Sequence, residues 1–518
     1  MNTENTSQKI IESLVADTHR PEGTSWDEKY AHTLGMQAYV YGFPWLYLSW
    51  IKWLWTTPGG AEFVKLENIA NKKQGKAEIK LPSMPVNTFF FSLQLATGET
   101  PSGGSPNRDT LYSIAWLDVS KEPIIVTVPE VTDRFYCMQL ACIDSDNFGY
   151  IGTHVTGTGA GSYLIAGPGW SGLVKKGITD VIPRSRTPEV LIFGRTQVLE
   201  NNQAAIDEAN NIQQSYSLTP LSLWPLCAPT PTEKIPDPHL PPNPILPSAN
   251  SPEDPQNLET WISMNHAMQK NPPGVLPGID QTELLNLFAT IGIGPNQSLE
   301  DLSKATLRGL ARAAYDGFAM LNEMPEGRGK NVNGWTYPPR DIGRAGQNSD
   351  FITRAALQAL AGISAHDAQQ AVYMNVAKDS DGHYFQQGKK YKIVLETADS
   401  LPPVDETYNG FWSITMYQSW DYNLVVNVKN PLAYSINSYY SEFQSLVKQG
   451  GTIYLQQEPP AGYGDGNQGV YWLQTPGNPP DNEEPLSNFY LFLRVYVPGP
   501  QLWNTQTWSP PKVQINDD

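Results

Sequence analysis

The chain has 518 residues, more than a single hydrophobic core serves, because cores stop growing near roughly 250 to 300 residues, so two domains are expected. Its 52 acidic against 35 basic side chains leave a net charge of −17, whose field repels phosphate backbones and anionic headgroups, so no nucleic-acid partner is expected. Hydrophobic residues at 40% and aromatics at 11% exclude a disordered chain, while 44 Pro and 42 Gly disfavour long helical bundles and favour short strands between turns.

The polar start, Met1 to Lys9, lacks the basic and apolar regions of a secretory signal, so the sequence as given reads as cytoplasmic. Removal of a signal before numbering would make it periplasmic or secreted. Residues 1–60 form an expected N-terminal helical region. Its strongest apolar stretch, Ala38 to Trp55, is interrupted by Gly42, Pro44, Ser49 and Lys52 and loaded with Tyr and Trp. That pattern predicts a buried core helix kinked near Pro44, not a membrane span.

Over 61–224, short apolar runs alternate with turn signals: Leu111–Leu117, Ile124–Val128, Phe135–Ile143, Gly161–Ala166 and Val190–Phe193 read as strands of a β-sandwich, followed by a helix over Gln203–Tyr216. Residues 225–255 carry so many prolines that they read as a linker. Residues 256–378 read as helical, with apolar spacing over Thr282–Ala289, Leu302–Leu321, Phe351–Ala361 and His366–Val376. From 379 to 518 the strands return at Tyr391–Leu395, Phe411–Tyr417, Gly451–Leu455 and Phe489–Val497. The fold class is mainly β with helices (α+β): two β-sandwich or jelly-roll-like domains joined by a Pro-rich linker and a helical segment.

Phosphate-loop, zinc-protease, nucleophile-elbow and paired-cysteine motifs are absent, so no cofactor is expected. The seven histidines are scattered without metal-ligand spacing, so no metal is expected either. Cys137, Cys142 and Cys227 are too few and too unevenly placed for a disulfide framework. The Gly-rich run Thr156–Gly161 precedes a strand, where a phosphate loop would open a helix, and so reads as a tight turn. In Ser105–Ser113, Asn107, Arg108 and Asp109 stand immediately before an apolar strand. An Arg fork there can hold an oxyanion and a neighbouring carboxylate can accept a proton. The alternative, with Asp109 capping a turn and Arg108 in a local ion pair, stands equally open.

Several separated stretches carry a resemblance. Ala38–Pro44, Asn107–Ser113, Arg134–Leu140 and Gly152–Trp170 resemble the bacterial domain-of-unknown-function family 1254. Leu401–Asp405, Phe411–Tyr417, Asn423, Phe489–Tyr496 and Trp508–Pro511 resemble its companion, family 1214. The resemblance implies β-sandwich modules in that order and brings no settled activity. Asn437-Ser-Tyr-Tyr440 departs from the family's usual Asn-Arg-Tyr.

Within these stretches Asp109, Tyr112, Tyr136 and His154 are the candidate catalytic groups. Asn107, Arg108, Asp144, Asn147, Trp412, Tyr417 and Arg494 are the candidate substrate-binding groups. The preferred function is a metal-independent enzyme acting on a small organic molecule in an aromatic-lined pocket. The alternatives are a non-catalytic module for a carbohydrate or other small ligand, and a structural assembly protein. The expected partner is a small molecule, with neither nucleic acid nor membrane, and the β-domains leave room for a homo-oligomer.

Overall fold

The computed structural model describes residues 25–73, 80–98, 104–226, 251–274, 281–327, 329–425, 434–464, 469–480 and 485–517. The readings for 1–24 and for most of the Pro-rich linker lie outside the described residues. The first described helix is α1 (Trp26–Thr56), which carries Pro44 inside it and exposes no side chain from Ala38 to Trp55. Such a helix has to be surrounded. Around it lie α2 (Pro58–Lys73), α4 (Leu258–Lys270), α5 (Thr282–Ala289), α6 (Lys304–Gly327) and a π-helix at Arg354–Ala361, sharing one core. Two glycines let α1 and α6 approach closely: a Cβ on Gly35 would lie 2.7 Å from the Ala313 Cβ, and one on Gly317 2.7 Å from the Tyr39 ring. Among the described residues, no helix is long and apolar enough to cross a membrane.

The first module contributes β1 (Phe90–Phe91), β2 (Thr110–Asp118), β3 (Ile124–Val128), β4 (Tyr136–Cys142), β5 (Asn147–Gly152), β6 (Gly161–Ile165), β7 (Asp180–Val181), β8 (Glu189–Gln197), helix α3 (Gln203–Gln214) and β9 (Ser217–Pro220). Its sheets run β1-β2-β8-β4-β5 and β7-β6-β3-β9. One hydrophobic core, with Leu117, Met138 and Ile192 from the first sheet and Val126, Ile165 and Leu218 from the second, joins them. The free thiols of Cys137 and Cys142 are buried, as small hydrophobes are.

The second module contributes β10 (Lys330–Val332), β11 (Trp335–Tyr337), β12 (Ala371–Val376), β13 (Tyr391–Leu395), β14 (Phe411–Gln418), β15 (Ser435–Asn437), β16 (Gly451–Gln456), β17 (Val470–Gln474), β18 (Phe489–Tyr496) and β19 (Val513–Ile515). Its sheets run β10-β11-β12-β18-β14-β15 and β17-β16-β13-β19 around their own core. The architecture is a mixed α+β fold with two domain-like regions and helical segments, and no described sheet closes into a barrel.

The stretch 256–378, read as helical from its apolar spacing, differs from Lys330 onward, where strands flank the helical turns. It supplies β10, β11 and β12 to the second module, and His366–Val376 holds a strand in place of the expected helix. The β-branched Val372 and Val376 and the alternation of buried Val372, Met374 and Val376 on one face satisfy a strand between β11 and β18 better than an isolated helical turn.

Sheet and helices are pinned together by one buried ionic knot. Glu189, at the start of β8, accepts hydrogen bonds from Lys52 of α1, from Lys270 of α4 at 2.6 Å and from the Asn271 amide at 2.8 Å. Burial pushes the Glu189 carboxyl up, but the two ammonium groups outweigh it and hold it at about 2, below its ordinary 4.5. The stabilisation is therefore complete above pH 4.5 and drains away as the pH falls toward about 2. Glu189→Gln strands two cations and is expected to cost about 3 to 5 kcal/mol at neutral pH. Urea midpoints across the acid range should show the gap to the wild type closing between pH 4.5 and about 2, and a gap that stays constant would contradict the assignment.

Candidate functional site at the junction of the two modules

Strand register builds the site. In the first module Tyr112 of β2 stands opposite Arg195 of β8, which stands opposite Cys137 of β4, so the three side chains form a row on one sheet face. In the second module Tyr373 of β12 stands opposite Arg494 of β18, which stands opposite Ser413 of β14. The two faces meet. Phe135 and Cys137 from one pack with Ala371, Phe411, Tyr496 and Val497 from the other.

The loop before β2 is inserted into this seam. Asp109 is fully buried and accepts hydrogen bonds from Ser413 at 2.6 Å and from Tyr439 at 3.0 Å. Burial raises its pKa, against the pull of Ser413, the Arg494 guanidinium and Tyr439. Asn107 turns the loop by accepting the Asp109 backbone N–H at 2.6 Å and donates to the Tyr496 hydroxyl, which also receives the Tyr373 hydroxyl at 3.0 Å. Arg494 donates to the Tyr417 hydroxyl and to the Ser105 carbonyl, both at 2.8 Å, with Tyr417 in turn donating to Pro106 O at 2.7 Å. Burial lifts the Tyr417 hydroxyl to about 12, so it remains a neutral donor.

Beyond this closed network lies a group of side chains whose polar atoms are not all used. Arg195 is 6% exposed, donates through one terminal nitrogen to Gln139 at 3.0 Å and to the Phe193 carbonyl at 3.3 Å, and has no partner at Nε. Its guanidinium lies 4.8 Å from the Phe193 ring centre and 5.8 Å from that of Tyr112. No described carboxylate forms an ion pair with it. His366, 2% exposed, stacks on Tyr150 with Tyr373 at its edge, and neither of its ring nitrogens has a protein partner. Burial first and the Arg195 charge second drive its pKa well below the usual histidine value, so the imidazole is neutral.

The structure therefore brings together Asn107, Asp109, Tyr112, Tyr417 and Arg494. Arg108 is next to them in sequence but spends its guanidinium on Ala96 O and Asn201 beneath the Tyr434 ring. Asn147 connects indirectly, accepting from Gln139 at 2.9 Å. Asp144 belongs to a separate buried knot, paired with Arg186 at 3.0 Å. Tyr136 lies on the opposite face of its sheet, stacked on Tyr216 in the module core. His154 rests half-buried against Tyr408. Trp412 is packed in the second module's core. Asp379, Asp381 and His383 cluster on the loop after β12 at metal-ligand spacing, but the Asp379 carboxylate already accepts the Asp381 and His383 backbone N–H groups at 3.0 Å.

Arg195, His366, Tyr373 and Tyr439 are absent from the sequence-derived set. A signal existed for Arg195, a lone cation in the apolar strand Val190-Leu-Ile-Phe-Gly-Arg195, whereas nothing local marks His366.

This is a two-module protein whose sheet faces close on a buried, cation-rich seam. Its first module matches the family described as protein of unknown function (DUF1254) over residues 86–220, and its second matches protein of unknown function (DUF1214) over 370–500. The chain thus carries matches to both family models, in this order. The fold is similar to the crystal structure of a protein from Vibrio parahaemolyticus, with TM-score 0.60 and 18% identity over 94% of this chain and 100% of that one. A crystal structure of an uncharacterised protein from Burkholderia cenocepacia aligns over 99% of this chain and 95% of its own, with TM-score 0.40 and 9% identity. No curated protein matches the chain.

If Asp109 is the pin of the seam, Asp109→Ala should cost about 3 to 5 kcal/mol by leaving buried donors and Arg494 uncompensated, whereas Tyr112→Phe should cost under about 1 kcal/mol. Chemical denaturation of both variants checks this, and equal losses would contradict the division between pinning and spare groups.

Proposed function

We propose that the seam binds a small organic molecule carrying an oxyanion, held by Arg195 and flanked by the rings of Tyr112, Phe193 and Tyr373. The observation that carries this reading is the buried Arg195 guanidinium with a free Nε and no carboxylate beside it. Buried charges are ordinarily paired, because desolvating an ion costs several kcal/mol that only a counter-charge offsets. Asp109 sits nearer Arg494 in the network and serves Ser413 and Tyr439. One positive charge is left over for a ligand, and half-buried aromatic rings supply walls for its apolar body.

The finer reading is a metal-independent enzyme. A bound anion would offset Arg195, one of the two influences that keep His366 neutral, and so would prepare the imidazole to accept a proton as the ligand arrives. The Tyr112 hydroxyl is the proton donor of this reading, since the Tyr373 hydroxyl already donates to Tyr496. Binding without turnover is the second reading, and it shares every contact except the use of His366. The sheet pairs read as jelly-roll-like sandwiches, a view supported by the core each pair shares.

Arg195→Met tests the binding reading because it should uncouple stability from binding. Removing an uncompensated buried cation should leave stability within about 1 kcal/mol of wild type or raise it, while ligand affinity falls roughly 10- to 100-fold. Thermal shifts with a panel of small aromatic and aliphatic carboxylates, each paired with its neutral amide, supply the readout. At least one acid should raise the wild-type melting temperature where its amide does not, and the variant should lose that shift. Acids and amides acting alike would refute the anion site.

A further inference from the structure

A cavity opens between the modules beside Tyr439, with a volume of about 750 Å³. Its character is opposite to that of the seam. Among the described residues lining it there is no Lys, Arg or His, but there are three carboxylates: Asp133, Asp399 and Glu406. Asp133 is already spent on Arg134, which reaches it with two nitrogens at 2.7 and 3.1 Å. Asp399 and Glu406 are exposed and form no ion pair with a described residue. The half-buried Tyr439 and Trp508 rings share the lining, with Leu401 and Pro403 beside them.

We infer that this cleft is a binding site for a small organic cation, a protonated amine or quaternary ammonium, lodged between the Tyr439 and Trp508 rings with Asp399 and Glu406 as its counter-charges. Aromatic faces attract cations through their quadrupole, and two exposed carboxylates in the lining of a partly apolar cavity add a field that no described lining cation cancels. A neutral ligand of the same shape would gain the apolar contact alone. An anion would meet carboxylates of its own sign. The site shares Tyr439 with the Asp109 network but uses neither Arg195 nor His366.

The test is calorimetric titration of the whole protein with choline and with its neutral carbon isostere, 3,3-dimethylbutan-1-ol, at about 0.15 M salt so that the net charge of the surface is screened. Choline should bind saturably and the isostere at least about tenfold more weakly. The double variant Asp399→Asn with Glu406→Gln alters exposed groups and should fold normally while weakening choline binding by about tenfold. Trp508→Leu, verified as folded by its melting temperature, should weaken it similarly. Equal binding of the isostere, absence of saturation, or unchanged choline affinity in the acid double variant would each overturn the proposal.

Discussion

The Asp109 carboxylate, removed from water at the seam between two β-modules, is the constraint on which the rest of the arrangement depends. A buried carboxylate is tolerated only where donors and a cation meet it, and here they come from the far module: Ser413, Tyr439 and the Arg494 guanidinium. The loop 105–109 thus cannot fold correctly without the second module in place. Arg494 in turn binds the Ser105 carbonyl, and Tyr417 binds Pro106 O, so the loop is held by two strands of the partner sheet, β14 and β18, and by Tyr439 beyond β15. Docking of the modules and formation of the site are one event.

That constraint sets the electrostatics of what lies next to it. The seam holds two arginines from opposing sheets: Arg494 acts on Asp109, while Arg195 faces rings and a neutral imidazole and forms no ion pair with a described carboxylate. A protein that only needed to join two modules would gain stability from an apolar side chain at Arg195. Retaining a guanidinium there sacrifices folding energy for a charge held in a weakly screening environment, where its pull on an anion is strongest. The cleft beside Tyr439 carries the opposite sign, so the same interface presents two environments of opposite charge preference.

Much of the fold was legible because its strands are bounded by strong turn chemistry. Ile124–Val128 is bracketed by prolines at 123 and 129 and reads as a strand with the same limits it has in the structure. Thr282–Ala289 likewise reads correctly from helical spacing. His366–Val376 does not, because six residues with buried positions at Val372, Met374 and Val376 fit a short helix almost as well as a strand, and only the neighbouring β11 and β18 decide. At the site, the Asn107–Asp109 motif and Arg494 stood out as charge set against apolar strands. Their roles did not, since which carboxylate meets which guanidinium depends on pairings between residues hundreds of positions apart. Arg108, adjacent in sequence to Asp109, faces Asn201 and Tyr434 instead, because the loop turns at Asn107 and sends the two neighbours apart, which a linear motif conceals.

If Arg195 is one charge short of a partner, native mass spectrometry of the gently purified protein will show it. A small molecule should be retained that, once released, proves to be an acid bearing a carboxylate, phosphate or sulfate, and it should be absent from protein carrying Arg195→Met. Retention of the same neutral or cationic molecule by both forms would contradict this reading.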